Sequence, residues 1–185
     1  MRLLDISTIS GIDDVLRVGN EFIITHLKSE DESFHLVNGS VKAGFTFHIH
    51  VLKGGIDISL NDRHYSVSKD QIFICNNGAI IHDLHMDKET SAVLMGYYMP
   101  YFFPEHNSYA LTQVWDRIME PITLNMNPDR TAASIAQMNL CKLILRKITD
   151  YELRKEAVIG FLRITLASIG QWYFNDYSDL QKEKG

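Results

Sequence analysis

The feature that most limits the fold of this chain is a succession of short β-prone runs between Glu21 and Tyr98, each closed by a turn signal. Glu21–Leu27 and Ser33–Val37 come first, and Asn38-Gly39 is a strong tight-turn dipeptide. Phe45, Phe47, Ile49 and Val51 then alternate with Thr46, His48, His50 and Leu52, the period of two of a strand with chemically different faces. Ile56, Ile58 and Leu60 continue the alternation. Asn61-Asp62, Lys69-Asp70 and Asn76-Asn77-Gly78 supply further turns, because Asn, Asp and Gly tolerate positive φ. The runs Arg63–Val67, Gln71–Cys75, Ala79–Leu84 and Ser91–Tyr98 lie between or after them. Short strands with turn signals roughly every 8–12 residues predict a sandwich or barrel, closed as an antiparallel roll.

The period changes after Pro100 and Pro104. Asn107 is a helix N-cap candidate, followed by Leu111, Val114, Trp115, Ile118 and Met119 and stopped by Pro121; a connector carries Leu124 and Met126. Pro128 starts a second helix, in which Ile135, Met138, Cys141, Leu145 and Ile148 recur at intervals of three and four. A third runs from about Tyr151 to Phe174, with Val158, Leu162, Leu166, Ile169 and Tyr173 on one face and Ala157, Phe161 and Ile164 beside it. The expected fold class is therefore α+β. Residues 1–105 form the barrel with an N-terminal arm, 106–177 a helical region and 178–185 a polar tail.

Composition narrows the function classes. A chain of 185 residues with 45% hydrophobic content buries enough surface to fold without disulfides or metals. The two cysteines, Cys75 and Cys141, lack the spacing of a redox or zinc pair and read as reduced core thiols. The formal charge of −5 argues against a nucleic-acid-binding surface, and the short cationic clusters at Arg154-Lys155 and Lys182-Glu183-Lys184 read as solvated faces or linker. No leader pattern is evident, and no apolar run approaches the ~20 residues of a membrane span, so the expected compartment is the cytoplasm, with no membrane partner. There is no phosphate loop, nucleophile elbow or His-Glu-x-x-His helix, and no enzymatic activity is expected.

The His48-x-His50 strand before Gly54-Gly55 resembles a cupin barrel, a double-stranded β-helix. With Leu52-Lys53-Gly54, Ile56-x-Ile58-x-Leu60, Tyr65-Ser66-Val67, Ile72-Phe73-Ile74, Ile81-His82 and the long helices that follow, the chain resembles the effector-binding and dimerisation region of AraC-type transcription regulators over Asn20 to Tyr177. The resemblance implies a cupin-like barrel that senses a small molecule and helices that pair two subunits. It implies DNA binding only through a helix-turn-helix domain absent here, the tail after Phe174 resembling an interdomain linker.

A cupin metal cage takes two His and a Glu from the first motif and a His from the second. Here Lys53, Gly54 and Gly55 stand where the Glu would fall, so no metal or other cofactor is expected. The alternative is a metal-dependent dioxygenase or isomerase using His48, His50 and His82. Thr46, His48, His50, Tyr65 and His82 are the candidate contacts for an effector, a sugar or other metabolite, if the histidines point inward as the resemblance implies. If instead Phe45, Phe47, Ile49 and Val51 line the barrel, the histidines face water or lie beneath the helices, and the interior is greasy and self-filled. Tyr65, Tyr97 or Trp115 could stack on a sugar. The residues up to Gly19 read either as an arm over the pocket or as a first edge strand. Val158, Leu162, Leu166, Ile169 and Tyr173 are the expected homodimer contact, the alternative being a cap packed wholly on its own barrel.

Overall fold

The computed structural model describes residues 1–9, 14–28, 40–103 and 120–182, with side chains through 176. The Ser33–Val37 run, the Asn38-Gly39 turn and the helix expected from Asn107, with Trp115, lie outside them. Eleven strands are described: β1 (Arg2–Leu4), β2 (Leu16–Val18), β3 (Phe22–Lys28), β4 (Val41–Ala43), β5 (Thr46–Lys53), β6 (Gly55–Leu60), β7 (Arg63–Ser68), β8 (Gln71–Cys75), β9 (Ile80–Met86), β10 (Ser91–Tyr97) and β11 (Ile122–Asn125). The helices are α1 (Met99–Phe102), α2 (Pro128–Lys147) and α3 (Tyr151–Lys182).

The strands form two sheets, of order β1-β4-β9-β6-β7 and β11-β8-β5-β10-β3-β2. Leaving aside the outer additions, strands β3 to β10 are dealt between the sheets as 4-9-6-7 and 8-5-10-3, with antiparallel neighbours throughout. That is the double-stranded β-helix, so the fold is the expected α+β, cupin-like barrel followed by helices. Two of the expected turn positions, Asn61 and Asp70, take positive φ (51° and 60°) at tight reversals, which Asn and Asp tolerate better than branched residues.

Between the sheets, Phe45, Phe47, Ile49 and Val51 from β5 and its approach meet Ile56, Ile58 and Leu60 of β6, Phe73 of β8 and Leu94 of β10. On the other face of the larger sheet, Phe22, Ile24, Val93, Met95 and Tyr97 meet Met138, Cys141 and Leu145 of α2 and Val158, Leu162 and Leu166 of α3. A third cluster joins Ile72, Ile74, Leu124 and Met126 to Ile169, with Tyr173 partly buried against it. One sheet is thus buried on both faces, which is why all six residues from Thr46 to Val51 are buried regardless of parity.

Several expectations are revised. The N-terminal segment contributes edge strands to both sheets: β1 pairs in parallel with β4, and β2 pairs with β3. It is held by the Arg17 guanidinium, which donates to the carbonyls of Ile6 and Ile9, and by Asp14, which pairs with Arg146 and Lys142 of α2. The connector with Leu124 is strand β11, antiparallel to β8. The backbone stays helical through Lys182, beyond the expected end near Phe174. By length and composition α3 reaches the size of a membrane span over Tyr151–Asp176, contrary to the expectation that no segment does. Its Val158, Leu162, Leu166 and Ile169, however, are at most 1% exposed against the barrel.

That stripe was the expected homodimer contact, and here it is consumed by the chain's own sheet. Burying each such side chain stabilises the helix–sheet contact by roughly 2 kcal/mol, so the helix docks on its own barrel with these residues inward. The apolar residues left outside are different ones: Leu140, Leu143, Leu153 and Ile164, each more than half exposed.

Candidate functional site

The histidines of β5 face the helices and not the barrel interior, because Phe47 and Ile49 occupy the inward positions. This reverses the inward orientation implied by the family resemblance. His48 is buried and its Nε2 shares a 2.9 Å hydrogen bond with the Tyr97 hydroxyl, the rings standing edge to face. Desolvation pushes the His48 pKa down from 6.5 to about 3, so the ring is neutral at physiological pH. The same burial raises the Tyr97 pKa. His50 lies one step along the strand, fully buried, with Nδ1 sharing a 3.1 Å hydrogen bond with Ser134 Oγ of α2. Its Nε2 is buried without a partner. Burial lowers its pKa too, with the Asp70 charge opposing.

The other predicted contacts lie elsewhere. Thr46 is buried on the same helix-facing side. Tyr65 packs in the barrel interior against Phe73, with ring centroids 5.2 Å apart. His82 is exposed on the smaller sheet, where its Nδ1 shares a 2.8 Å hydrogen bond with Ser40. The five residues therefore do not converge on one pocket. Nor do His48, His50 and His82 form the cage of the metal-enzyme alternative, since they are divided between the two sheets. Among the described residues no group of three or more His, Cys, Asp or Glu side chains is placed to hold a metal ion. Tyr97, a candidate sugar stacker, is fully occupied beneath the helices. Cys75 and Cys141 are buried free thiols, their pKa values pushed up to about 12 by burial, which leaves them without thiolate reactivity.

Among the described residues the barrel interior offers little room. The cavity among Leu4, Phe45, Phe47, Ile49, Ile81, Leu84 and Leu94 is about 20 Å³, scarcely one water, and its lining is apolar. Among the described residues larger spaces lie elsewhere. At one end of the barrel a groove of about 660 Å³ runs between Lys42 of β4, Gly44 and Phe45, Asn77, Glu21 and Tyr98. Between α2 and α3 a second groove of about 240 Å³ is almost wholly apolar, lined by Leu140, Ile144, Ala157, Gly160, Phe161 and Ile164 among others. Sequence reasoning read residues of the first groove, such as Glu21, Phe45, Asn77 and Gly78, as strand or turn residues and gave none of them a binding role. The available signal was Gly44, which stands where the chain crosses from one sheet to the other: a Cβ there would lie 3.0 Å from the Leu4 carbonyl oxygen and 3.2 Å from a Leu3 methyl carbon.

No family model matches this chain, and no curated protein sequence does. Among solved structures it is similar to apo ToxT K231A from Vibrio cholerae (TM-score 0.48, 8% identity, 83% of this chain and 57% of that one). The AraC-like transcriptional activator CuxR is similar at TM-score 0.48 and 8% identity, over 83% of this chain and 54% of that one. A cupin-2 domain containing protein from Shewanella frigidimarina is similar at TM-score 0.32 and 11% identity, over 52% of this chain and 82% of that one. The chain thus spans little more than half the length of the two regulators.

Proposed function

We propose that this chain is a small-molecule-sensing and self-associating module of an AraC-type transcription regulator, acting in the cytoplasm without catalysis of its own. DNA would be reached through a further domain. The order of motifs from Asn20 to Tyr177 supports the family reading, and the placement of empty space shapes it: the interior is filled by its own side chains among the described residues, so an effector binds in the groove at the barrel end. The observation that carries the module reading is the outward face of the helix pair. Leu140 and Ile164 flank an apolar groove, 57% and 58% exposed, over Gly160, where a Cβ would meet nothing within 4 Å. Apolar surface concentrated in this way favours a second copy packed across it, about a two-fold axis, with a side chain of each subunit in the other's groove.

Sedimentation velocity at micromolar concentration tests this. Wild type is expected to sediment as a dimer, and L140E/I164E as a folded monomer, because both positions are exposed and their substitution leaves the barrel contact intact. A monomeric wild type would overturn the self-association, and a dimer that survives the double substitution would move it to another face.

A further inference from the structure

The outward face of α3 carries two charges that its own chain leaves unpaired, one of each sign, on either side of Gly160. Glu156 and Arg163 are both exposed. Neither forms a hydrogen bond or ion pair among the described residues. The cations nearest Glu156 in sequence are engaged elsewhere: Arg154 donates to the Arg17 carbonyl (2.6 Å), and the Lys155 ammonium lies 4.5 Å from the centre of the Tyr101 ring. Glu156 comes four residues before Gly160 and Arg163 three after it, so both fall on one flank of the helix. They stand about 10 Å apart along the axis, too far for the close pairing that a spacing of three or four residues permits. Ala157 and Ile164, three before and four after Gly160, fall on the opposite flank and border the apolar groove beside α2.

A two-fold axis perpendicular to α3 at Gly160 reverses the helix direction and keeps the flank. It therefore carries Glu156 of one copy opposite Arg163 of the other, and the reverse. The same operation sets Ile164 of each copy against Ala157 and Gly160 of the other, where the missing Cβ of Gly160 admits close approach. From this pattern we infer that Glu156 and Arg163 determine register and partner choice: two copies cross antiparallel at Gly160, clasped by two equivalent Glu156–Arg163 ion pairs beside the apolar contact. A parallel pairing would set each charge level with its like. The inference rests on the self-association proposed above, whose geometry and selectivity it specifies. The clasp adds selectivity more than affinity, because ion pairs at a solvated rim contribute little energy while like charges there exclude wrong registers.

The test is sedimentation velocity and native mass spectrometry on the full chain with E156R, R163E and the charge-exchanged E156R/R163E. Each single variant is expected to dimerise at least about tenfold more weakly than wild type, because both ion pairs become repulsions. E156R/R163E is expected to recover the wild-type dimer, and E156R mixed with R163E to form a one-to-one heterodimer in which both contacts are again attractive. These differences should shrink as salt is raised to about 0.5 M. Both positions are exposed, and thermal unfolding followed by circular dichroism checks that each variant keeps the fold. A dimeric wild type whose single variants dimerise equally well, or whose double variant fails to recover, would overturn the clasp and its register while leaving the self-association standing. A monomeric wild type would overturn both.

Discussion

Acidification should loosen this protein through His48, and the size of the effect follows from its burial. The ring titrates at about 6.5 in an unfolded chain and about 3 when buried beside Tyr97, so between those values the unfolded state binds the extra proton. Stability is therefore fully present above pH 6.5, falls as pH is lowered, and stops falling on this account near pH 3. The full interval corresponds to roughly 5 kcal/mol, of which about 3 kcal/mol is lost by pH 4. His50, whose pKa burial also lowers, adds a loss of the same sign. The informative perturbation is H48F/Y97F, which removes both polar partners and keeps two rings in the site. Replacing both ends of a buried hydrogen bond with apolar groups is nearly neutral, so at pH 7 the variant should lie within about 1 kcal/mol of wild type. Urea unfolding at pH 7 and pH 4 gives the comparison. Wild type should lose about 3 kcal/mol more than H48F/Y97F between the two values. Carboxylates titrate alike in both proteins and cancel in the difference. Equal losses in the two proteins would refute the buried, neutral His48.

Two further substitutions probe packing. G160A places a methyl group on an exposed turn of α3 with nothing of its own chain within 4 Å, so in the monomeric L140E/I164E background it should stabilise the chain by up to about 1 kcal/mol in thermal or urea unfolding, while in the dimeric wild type the partner side chain in that groove should cancel the gain; an equal gain in both backgrounds would argue against the groove as the contact. G96A, in the centre of β10, would put a Cβ 2.6 Å from the Phe45 ring and 2.9 Å from Ile23, both buried, and should cost about 2–3 kcal/mol in the same assay.

Much of the barrel was legible because its reversals carry their own chemistry. Asn61-Asp62, Lys69-Asp70 and Asn77-Gly78 mark the boundaries of β6 to β9, and residues between them alternate as strands must. Which face of β5 points inward was not legible. Alternation separates two faces but names neither, and in a sheet covered by another sheet on one side and helices on the other, both are dry. Polar residues such as His48 and His50 then suggest a lumen site or a wet surface, while their actual place is a hydrogen-bonded seam under α2. The same ambiguity affected α3, whose apolar residues spread well round the helix. Val158, Leu162, Leu166 and Ile169 form the longer stripe and so meet the larger apolar surface, their own barrel, leaving Ile164 outside. Strand β11 was too short to stand out, although Ile122 and Leu124 alternate with Thr123 and Asn125 between two prolines. The barrel-end groove was not legible because it joins residues from six separate stretches of chain.

Footprinting with diethyl pyrocarbonate, read by mass spectrometry at pH 7, tests most directly whether the histidine strand is packing and not a site. His64, His82 and His85, exposed on the smaller sheet, should be modified in the native protein at rates near those of the urea-unfolded chain, while His48 and His50 remain unmodified until the protein unfolds. Native-state modification of His48 and His50 as fast as that of His64 would contradict the packing, because the two rings would then open onto a solvent-filled cavity.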